Sequence, residues 1–307
     1  MNGASTGWRP ATLPRRPLLL INPRSGDGRA TRAALAERAR EQGIDCVVLT
    51  PGQDLAALVR DAVRAGADAL GMAGGDGSLA VVATVALAHD LPFICVPAGT
   101  RNHFARDLGI DRHDLIGSLG AFTDGVERKI DVGMVNGRIF LNNVSLGLYG
   151  DAVRQPAYRD AKLHTLLATA NAVLSSSAPA PALRVVDGRG DEHSQPAVVL
   201  VSNNPYAFEP PPVIGTRPRL DGGELGIVVL DAPGSGRNPA ASAWNAPTFD
   251  VQAAAPAHAG VDGEAVELDP LLRFAIRPAA LRVRICSRHP GVTPSGRLAS
   301  RGPRRPG

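Results

Sequence analysis

Long apolar runs, paired cysteines and lysine are what this 307-residue sequence lacks. Its longest apolar stretches, such as Leu18 to Ile21 and Val81 to Leu87, fall far short of the about 20 residues that cross a bilayer, so no transmembrane helix is expected. Met1 to Arg16 carries Trp8, Arg9, Arg15 and Arg16 but no apolar stretch of about 7–15 residues, and it does not read as a secretory signal. The cysteines, Cys46, Cys95 and Cys286, are odd in number, far apart and each set in an apolar run. They read as reduced core residues of a cytoplasmic protein, with no disulfide framework and no zinc spacing. Lysine occurs only at Lys129 and Lys162, neither of which follows a glycine loop. That excludes a Walker P-loop, whose Lys-Ser/Thr pair must close its glycine loop.

What is present describes a globular chain. Hydrophobic residues make up 44% and charged residues 20%, enough apolar content for a sizeable core and too much for a disordered chain. The net charge of +4 is unevenly spread. Residues 1–16 hold three arginines and 287–307 hold five, with no acid in either, leaving the body with 25 basic against 29 acidic residues. A slightly acidic body argues against a nucleic-acid groove. The basic ends read as flexible tails able to touch an anionic surface such as a lipid headgroup layer.

From Pro17 the pattern alternates between short apolar strands and helices of about 12 residues. Leu18 to Ile21, Ile44 to Leu49, Ala67 to Met72 and Pro92 to Val96 read as strands, and Arg29 to Gln42, Leu55 to Ala65 and a segment ending at His89 as helices. Continuous apolar strands separated by helices predict an α/β domain with a parallel sheet covered on both faces. After about residue 128, Lys129 to Val135, Arg138 to Val144, Leu183 to Val186, Ala197 to Ser202, Leu225 to Leu230, Leu272 to Ile276 and Leu281 to Ile285 are strand-like and separated by turn residues. This half is expected to be antiparallel, with one helix near Tyr158 to Leu174 and Ala/Ser/Pro loops at Ser175 to Pro181 and Ala253 to Ala259.

Ligands of open parallel sheets sit beyond the carboxyl ends of the strands, and three strand ends here carry unusual loops. They are Asn22-Pro23-Arg24-Ser25-Gly26, Gly74-Gly75-Asp76-Gly77-Ser78 and Pro97-Ala98-Gly99-Thr100-Arg101-Asn102. Glycines allow close backbone approach, amides at a following helix start attract phosphate oxygens, and Ser25, Ser78 and Thr100 add hydroxyl donors. Asp76 stands out, because an acid among anion-binding amides repels phosphate unless a metal or a proton transfer involves it. A Rossmann reading fails, since Gly26-Asp27-Gly28 lacks the third glycine in register.

These loops, in this order, resemble the diacylglycerol kinase catalytic-domain family, which includes sphingosine, ceramide and bacterial lipid kinases. The likeness extends through Ile130-Asp131-Val132-Gly133, Phe140 to Gly147, Leu220-Asp221-Gly222-Gly223-Glu224-Leu225 and Val261-Asp262-Gly263-Glu264, roughly residues 17–286. It implies an α/β nucleotide-binding domain over 17–130 and a β-sandwich-like lipid domain over 131–286 whose last strands return to the first, with flexible tails at 1–16 and 287–307. By the same resemblance Asn22, Pro23, Arg24, Ser25, Gly26, Thr50, Gly74, Gly75, Asp76, Gly77, Ser78 and Thr100 match nucleotide-contacting positions. Glu264 matches the base that takes the lipid hydroxyl proton, Asp76 is a second catalytic candidate, and Asp131, Asp221 and Glu224 are candidate ligands for Mg²⁺.

Two positions depart from the pattern. His103 stands where the family commonly has Asp, and Gly222 where it has a second Asp; both losses are acidic and both bear on metal placement. The reading is an ATP- and Mg²⁺-dependent lipid kinase acting on a diacylglycerol-like, phosphatidylglycerol-like or sphingoid hydroxyl, cytoplasmic and peripheral at the membrane. A soluble-substrate kinase of the NAD kinase or phosphofructokinase type and a non-catalytic lipid- or nucleotide-binding regulator are the alternatives.

Overall fold

A strand buried at every residue has to be covered on both faces, and β2 (Pro17–Ile21), β4 (Ala69–Ala73) and β5 (Phe93–Val96) are strands of that kind. The structure, a computed structural model, describes residues 7–25, 29–147, 182–194, 196–207, 215–231 and 241–299. It divides into unit 1 (Met1–Ile130, Pro218–Asp221 and Ala279–Gly307) and unit 2 (Asp131–Arg217 and Gly222–Pro278).

In unit 1 the parallel order is β5-β4-β2-β3, with β3 (Asp45–Val48) at the edge and largely exposed. Val283 and Arg284, near the end of the long β17 (Leu271–Cys286), pair in parallel with Phe93 and Ile94 of β5. The sheet is interleaved in sequence with α1 (Arg29–Glu41), α2 (Leu55–Arg64), α3 (Asp76–Ala88) and the short α4 (His103–Asp107). Asp54 caps α2 by accepting the Ala57 amide. Leu19, Ile21, Leu35, Ala39, Ile94 and Phe122 belong to one buried cluster. The expected parallel α/β sheet is present.

Unit 2 is antiparallel. One sheet runs in the order β13-β12-β11-β8-β15-β16, formed by β13 (Ala241–Ala246), β12 (Leu225–Asp231), β11 (Pro196–Asn203), β8 (Asn143–Gly147), β15 (Ala257–Val261) and β16 (Glu264–Leu268). A second layer contains β10 (Glu192–Ser194), β9 (Leu183–Val186), β14 (Thr248–Ala253) and Leu271–Ala275 of β17. It also has a hairpin made by the end of β6 (Gly125–Val135) with β7 (Arg138–Phe140). Alternate residues of both layers point into one core, for example Val199 and Val201 from the first and Val185, Val251 and Phe274 from the second. Phe249 lies 6.0 Å from Phe274 and edge-on to Trp244 at 5.6 Å.

Several expectations are corrected. Arg138 to Val144 is two strands, because Leu141 and Asn142 leave the ladder and give their amides to Asp262. Leu272 to Ile276 and Leu281 to Ile285 are parts of the single strand β17, which continues through Ala279 at φ 47°. The Ala253 to Ala259 segment is no loop throughout: Ala257 and Ala259 are buried strand residues whose small side chains face the core. The helix expected near Tyr158 to Leu174 and the loop Ser175 to Pro181 lie outside the described residues.

The tails are ordered where they are described. Arg9–Pro10 (β1) pairs with Val126 and Glu127 of β6, Trp8 Nε1 donates to the Gly291 carbonyl at 2.7 Å, and Arg128 stacks 4.6 Å above the Trp8 ring. Gly291 in turn donates to Gly109, whose backbone lies so close to Val292 that a side chain would collide, and Pro294–Ala299 forms α5. These contacts outweigh the composition of the ends, which alone reads as flexible.

Candidate active site

The first two loops of unit 1 leave neighbouring parallel strands, so they emerge side by side. Asn22 follows β2 and donates its backbone N–H to Ala73 at the end of β4; its Nδ2 donates to Ser78 Oγ at 3.1 Å. Ser25 Oγ accepts the Gly75 amide at 3.2 Å, and Arg24 closes its own turn on Asn22 Oδ1. Pro23 and Ser25 are partly exposed and Arg24 is exposed; Gly26 is outside the described residues. Thr50, after β3, is exposed, and its amide is held by Gln53 Oε1 at 2.8 Å. Asn22–Arg24, Leu49–Gln53 and Ser78 border a cavity of about 210 Å³.

The third loop reaches the second by close backbone contact. A Cβ on Gly99 would lie 2.8 Å from Gly75 Cα and 3.1 Å from the Gly74 carbonyl, and one on Gly74 would lie 2.7 Å from Met72 Cε. Glycine is required by space at position 99, where the neighbour is backbone, whereas at position 74 the flexible end of Met72 could give way. Asp76 opens α3, where a carboxylate suits the helix start, and its Oδ1 accepts the Phe104 amide of α4 at 3.3 Å. Thr100 is exposed at the tip, and Gly77 and Ser78 are in the first turn of α3. Burial pushes the Cys95 thiol well up, and the Asp76 charge adds to the effect. Three chain-distant loops are thus fixed at one sheet edge with glycines at their contacts. An arrangement of this kind is able to cradle a polyphosphate.

In unit 2 the Asp-Gly-Glu segment has a definite geometry. Val261 pairs with Glu264 across the two-residue turn Asp262-Gly263, both of whose residues have positive φ, 48° and 84°. This is the type I′ hairpin that Asp-Gly favours. The buried Asp262 carboxylate accepts three successive amides, from Leu141 at 2.8 Å, Asn142 at 2.7 Å and Asn143 at 3.2 Å. Glu264, one residue beyond the turn, is exposed at the start of β16.

A buried polar network continues from there. Arg217, fully buried, donates to the carbonyls of Leu141 and Asn203 and to Asn142 Oδ1. Asn203 Nδ2 donates to the carbonyls of Asp131 and Leu141. Asp131 Oδ2 accepts the Gly223 amide at 2.7 Å and Asn204 Nδ2 at 3.1 Å, while Asn204 Oδ1 accepts the Gly222 amide. Asn203, Asn204, Arg217 and Asp262 carry this network, and none was singled out from the sequence as a site residue. Of these, only Asp262 leaves a readable signal, the Asp-Gly turn between two strand-like runs.

The expected metal set does not assemble. Among the described residues no group of three or more His, Cys, Asp or Glu is placed to hold an ion. Asp131 is buried and taken up by amide donors, Asp221 accepts from Arg219 Nε at 2.8 Å and belongs to unit 1, and Glu224 is exposed in unit 2. Asp131, Asp221 and Glu224 do not fit a Mg²⁺ site of the protein's own, and no chemical step is routed through one.

With this geometry in place, likeness to known proteins is informative. Residues 16–135 match the diacylglycerol kinase catalytic domain. A protein of Pseudomonas aeruginosa (strain UCBPP-PA14) named "Probable lipid kinase YegS-like" is 29% identical over 290 residues, covering 87% of this chain and 93% of that protein. A protein of Mycobacterium tuberculosis (strain ATCC 25618 / H37Rv) named diacylglycerol kinase is 34% identical over 120 residues, 38% of this chain and 39% of that one. A crystal structure of a diacylglycerol kinase from Bacillus anthracis str. Sterne matches with a TM-score of 0.64 at 16% identity, covering 92% of this chain and all of the other. At that identity the structural likeness is one of fold.

Proposed function

We propose that the chain, whose residues 16–135 match the diacylglycerol kinase catalytic domain, is an ATP-dependent lipid kinase. Its acceptor is the free hydroxyl of a diacylglycerol-like, phosphatidylglycerol-like or sphingoid lipid. The observation that carries the reading is the convergence of the three strand-end loops, Ser25 bonded to Gly75, Asn22 to Ser78, and Gly99 pressed on Gly74 and Gly75. Phosphoryl transfer asks a protein mainly for positioning and charge stabilisation, and backbone amides presented by glycine loops supply both.

In this reading Glu264 accepts the proton of the lipid hydroxyl as its oxygen bonds to the γ-phosphorus. The bond from that phosphorus to the β,γ-bridging oxygen breaks, and ADP leaves. Asp76 orders the site by joining the second loop to α4. Divalent metal arrives with the nucleotide as the MgATP co-substrate, consistent with the few protein ligands Mg²⁺ uses in such sites. No helix among the described residues is long and apolar enough to cross a membrane.

The test is transfer from γ-labelled ATP to a lipid panel in mixed vesicles, comparing wild type with Glu264→Gln and Asp76→Ala. Label appearing in a lipid with wild type and lost in both variants is expected. Wild-type transfer to NAD or a sugar phosphate with none to lipid would overturn the substrate class. Lipidomics of cells overproducing the protein identifies the headgroup that gains the phosphate.

A further inference from the structure

Asn102 is the residue around which the third loop is built. It is 7% exposed and sits at φ 51°, ψ 45°, a left-handed conformation that asparagine tolerates better than other non-glycine residues. Its side chain makes three bonds to the main chain of its own turn. Oδ1 accepts the Gly99 amide at 2.8 Å, and Nδ2 donates to the Gly99 carbonyl at 2.7 Å and the Pro97 carbonyl at 3.1 Å. Both amide hydrogens are used, so neither leucine-like shape nor a carboxylate would serve. What is held in this way is the residue that touches the second loop, because Gly99 packs on Gly75 Cα and the Gly74 carbonyl. Two residues past Asn102, the Phe104 amide meets Asp76. A turn with no strand ladder of its own is therefore pinned from within by Asn102 and from outside by the Gly-Gly-Asp-Gly loop.

We propose that Asn102 is a positioning residue for the nucleotide: by fixing the Pro97–Gly99 turn it sets the spacing between the third loop and Gly74–Gly75, on which the triphosphate rests. This assignment rests on the ATP-dependent reading given above. Asn102 acts through Gly99, so its loss spoils affinity for the phosphates more than the intrinsic rate once the nucleotide is bound.

The experiment uses the full chain with Asn102→Ala, Asn102→Gly and Asn102→Asp. Binding of MgATP is followed by calorimetry, thermal melting by circular dichroism, and KM for ATP and for lipid are measured separately against labelled transfer. In Asn102→Ala and Asn102→Gly, KM for ATP is expected to rise about tenfold or more, the scale of one or two lost hydrogen bonds, with KM for lipid unchanged and kcat within about threefold. Asn102→Gly accepts the left-handed backbone, so its melting temperature stays nearest wild type while its KM is not rescued. Asn102→Asp keeps the acceptor for Gly99 but sets a carboxylate oxygen against two carbonyls, and is expected to bind ATP most weakly. An ATP KM within twofold of wild type in all three variants overturns the assignment, as does a rise of both KM values in step with melting temperature. Failure of wild type to bind ATP at all overturns the kinase reading and this assignment together, whereas wild-type binding with indifferent variants overturns only the latter.

Discussion

Replacing Asp262 by alanine is expected to destabilise unit 2 by about 3–7 kcal/mol, a large share of the about 5–15 kcal/mol that holds a typical domain. The figure follows from its carboxylate. Asp262 accepts the amides of Leu141, Asn142 and Asn143, and its removal leaves the first two buried without an acceptor, at about 1–3 kcal/mol each. Asn143 is partly exposed, so water offsets most of the third loss. Alanine at φ 48° adds about 1 kcal/mol of backbone strain. Asp262→Gly removes that strain but not the lost acceptor, and is expected to lie about 1 kcal/mol closer to wild type. Asp262→Asn keeps one acceptor and should retain about half the stabilisation. Each unit contains one of the two tryptophans, so in a Trp8→Phe background Trp244 alone reports unit 2 during urea unfolding. A cost below about 1 kcal/mol for Asp262→Ala would refute the reasoning, because the three amides would then have found other partners.

Glu264→Gln is expected to lower kcat by about 10²–10⁴ with the urea midpoint unchanged, since the side chain is exposed and the turn before it is held by Asp262; kinetics and unfolding are measured on one sample. Gly133→Ala places a Cβ in the Phe140 ring, so it should cost about 1–3 kcal/mol by the Trp244 readout, and a milder effect would mean the ring can swing aside. Burial holds the His289 imidazole below its ordinary value of 6.5, with the Asp111 and Asp114 carboxylates pulling upward and Arg288 downward. A base with a depressed folded value binds fewer protons folded than unfolded, so stability is complete above about pH 6.5 and falls as pH drops toward the folded value. His289 Nδ1 accepts the Asp111 amide, a bond that protonation abolishes. Trp8 fluorescence, two residues away through Gly291, should show the C-terminal segment loosening on acidification, and His289→Gln should flatten that response.

The parallel sheet of unit 1 was legible because its inner strands are short apolar runs, as in Leu18 to Ile21 and Phe93 to Val96, that only a doubly covered strand can bury. The loops were legible for a related reason: glycines cluster at the ends of these strands. Unit 2 was harder. Its β15 is built from Ala257, His258, Ala259, Gly260 and Val261, whose weak hydrophobicity resembles a linker until Ala257 and Ala259 are seen against the core. Asn204 and Asp131 are 73 positions apart, and Asn142 and Asp262 are 120 apart. Hydrogen bonds of that reach have no local signature, and so Arg217, Asn203 and Asn204 could not be picked out. The metal set illustrates the opposite error: Asp131, Asp221 and Glu224 share a plausible composition, yet amides and Arg219 already occupy the two aspartates.

The division of the chain has a consequence for biosynthesis. Unit 2 is drawn from Asp131–Arg217 and Gly222–Pro278, between the pieces of unit 1, which also needs Pro218–Asp221 and Ala279–Gly307. On a ribosome the glycine-rich loops emerge first, but β5 waits with an open edge until Val283 and Arg284 arrive, and Trp8 waits for Gly291. All of unit 2 has left the tunnel by then. The half of the protein made first is the half finished last, so a fragment ending at Ile130 is not a separable domain. A proteolytic nick between Ser287 and Thr293 would strike the loop-bearing unit from the far end of the chain.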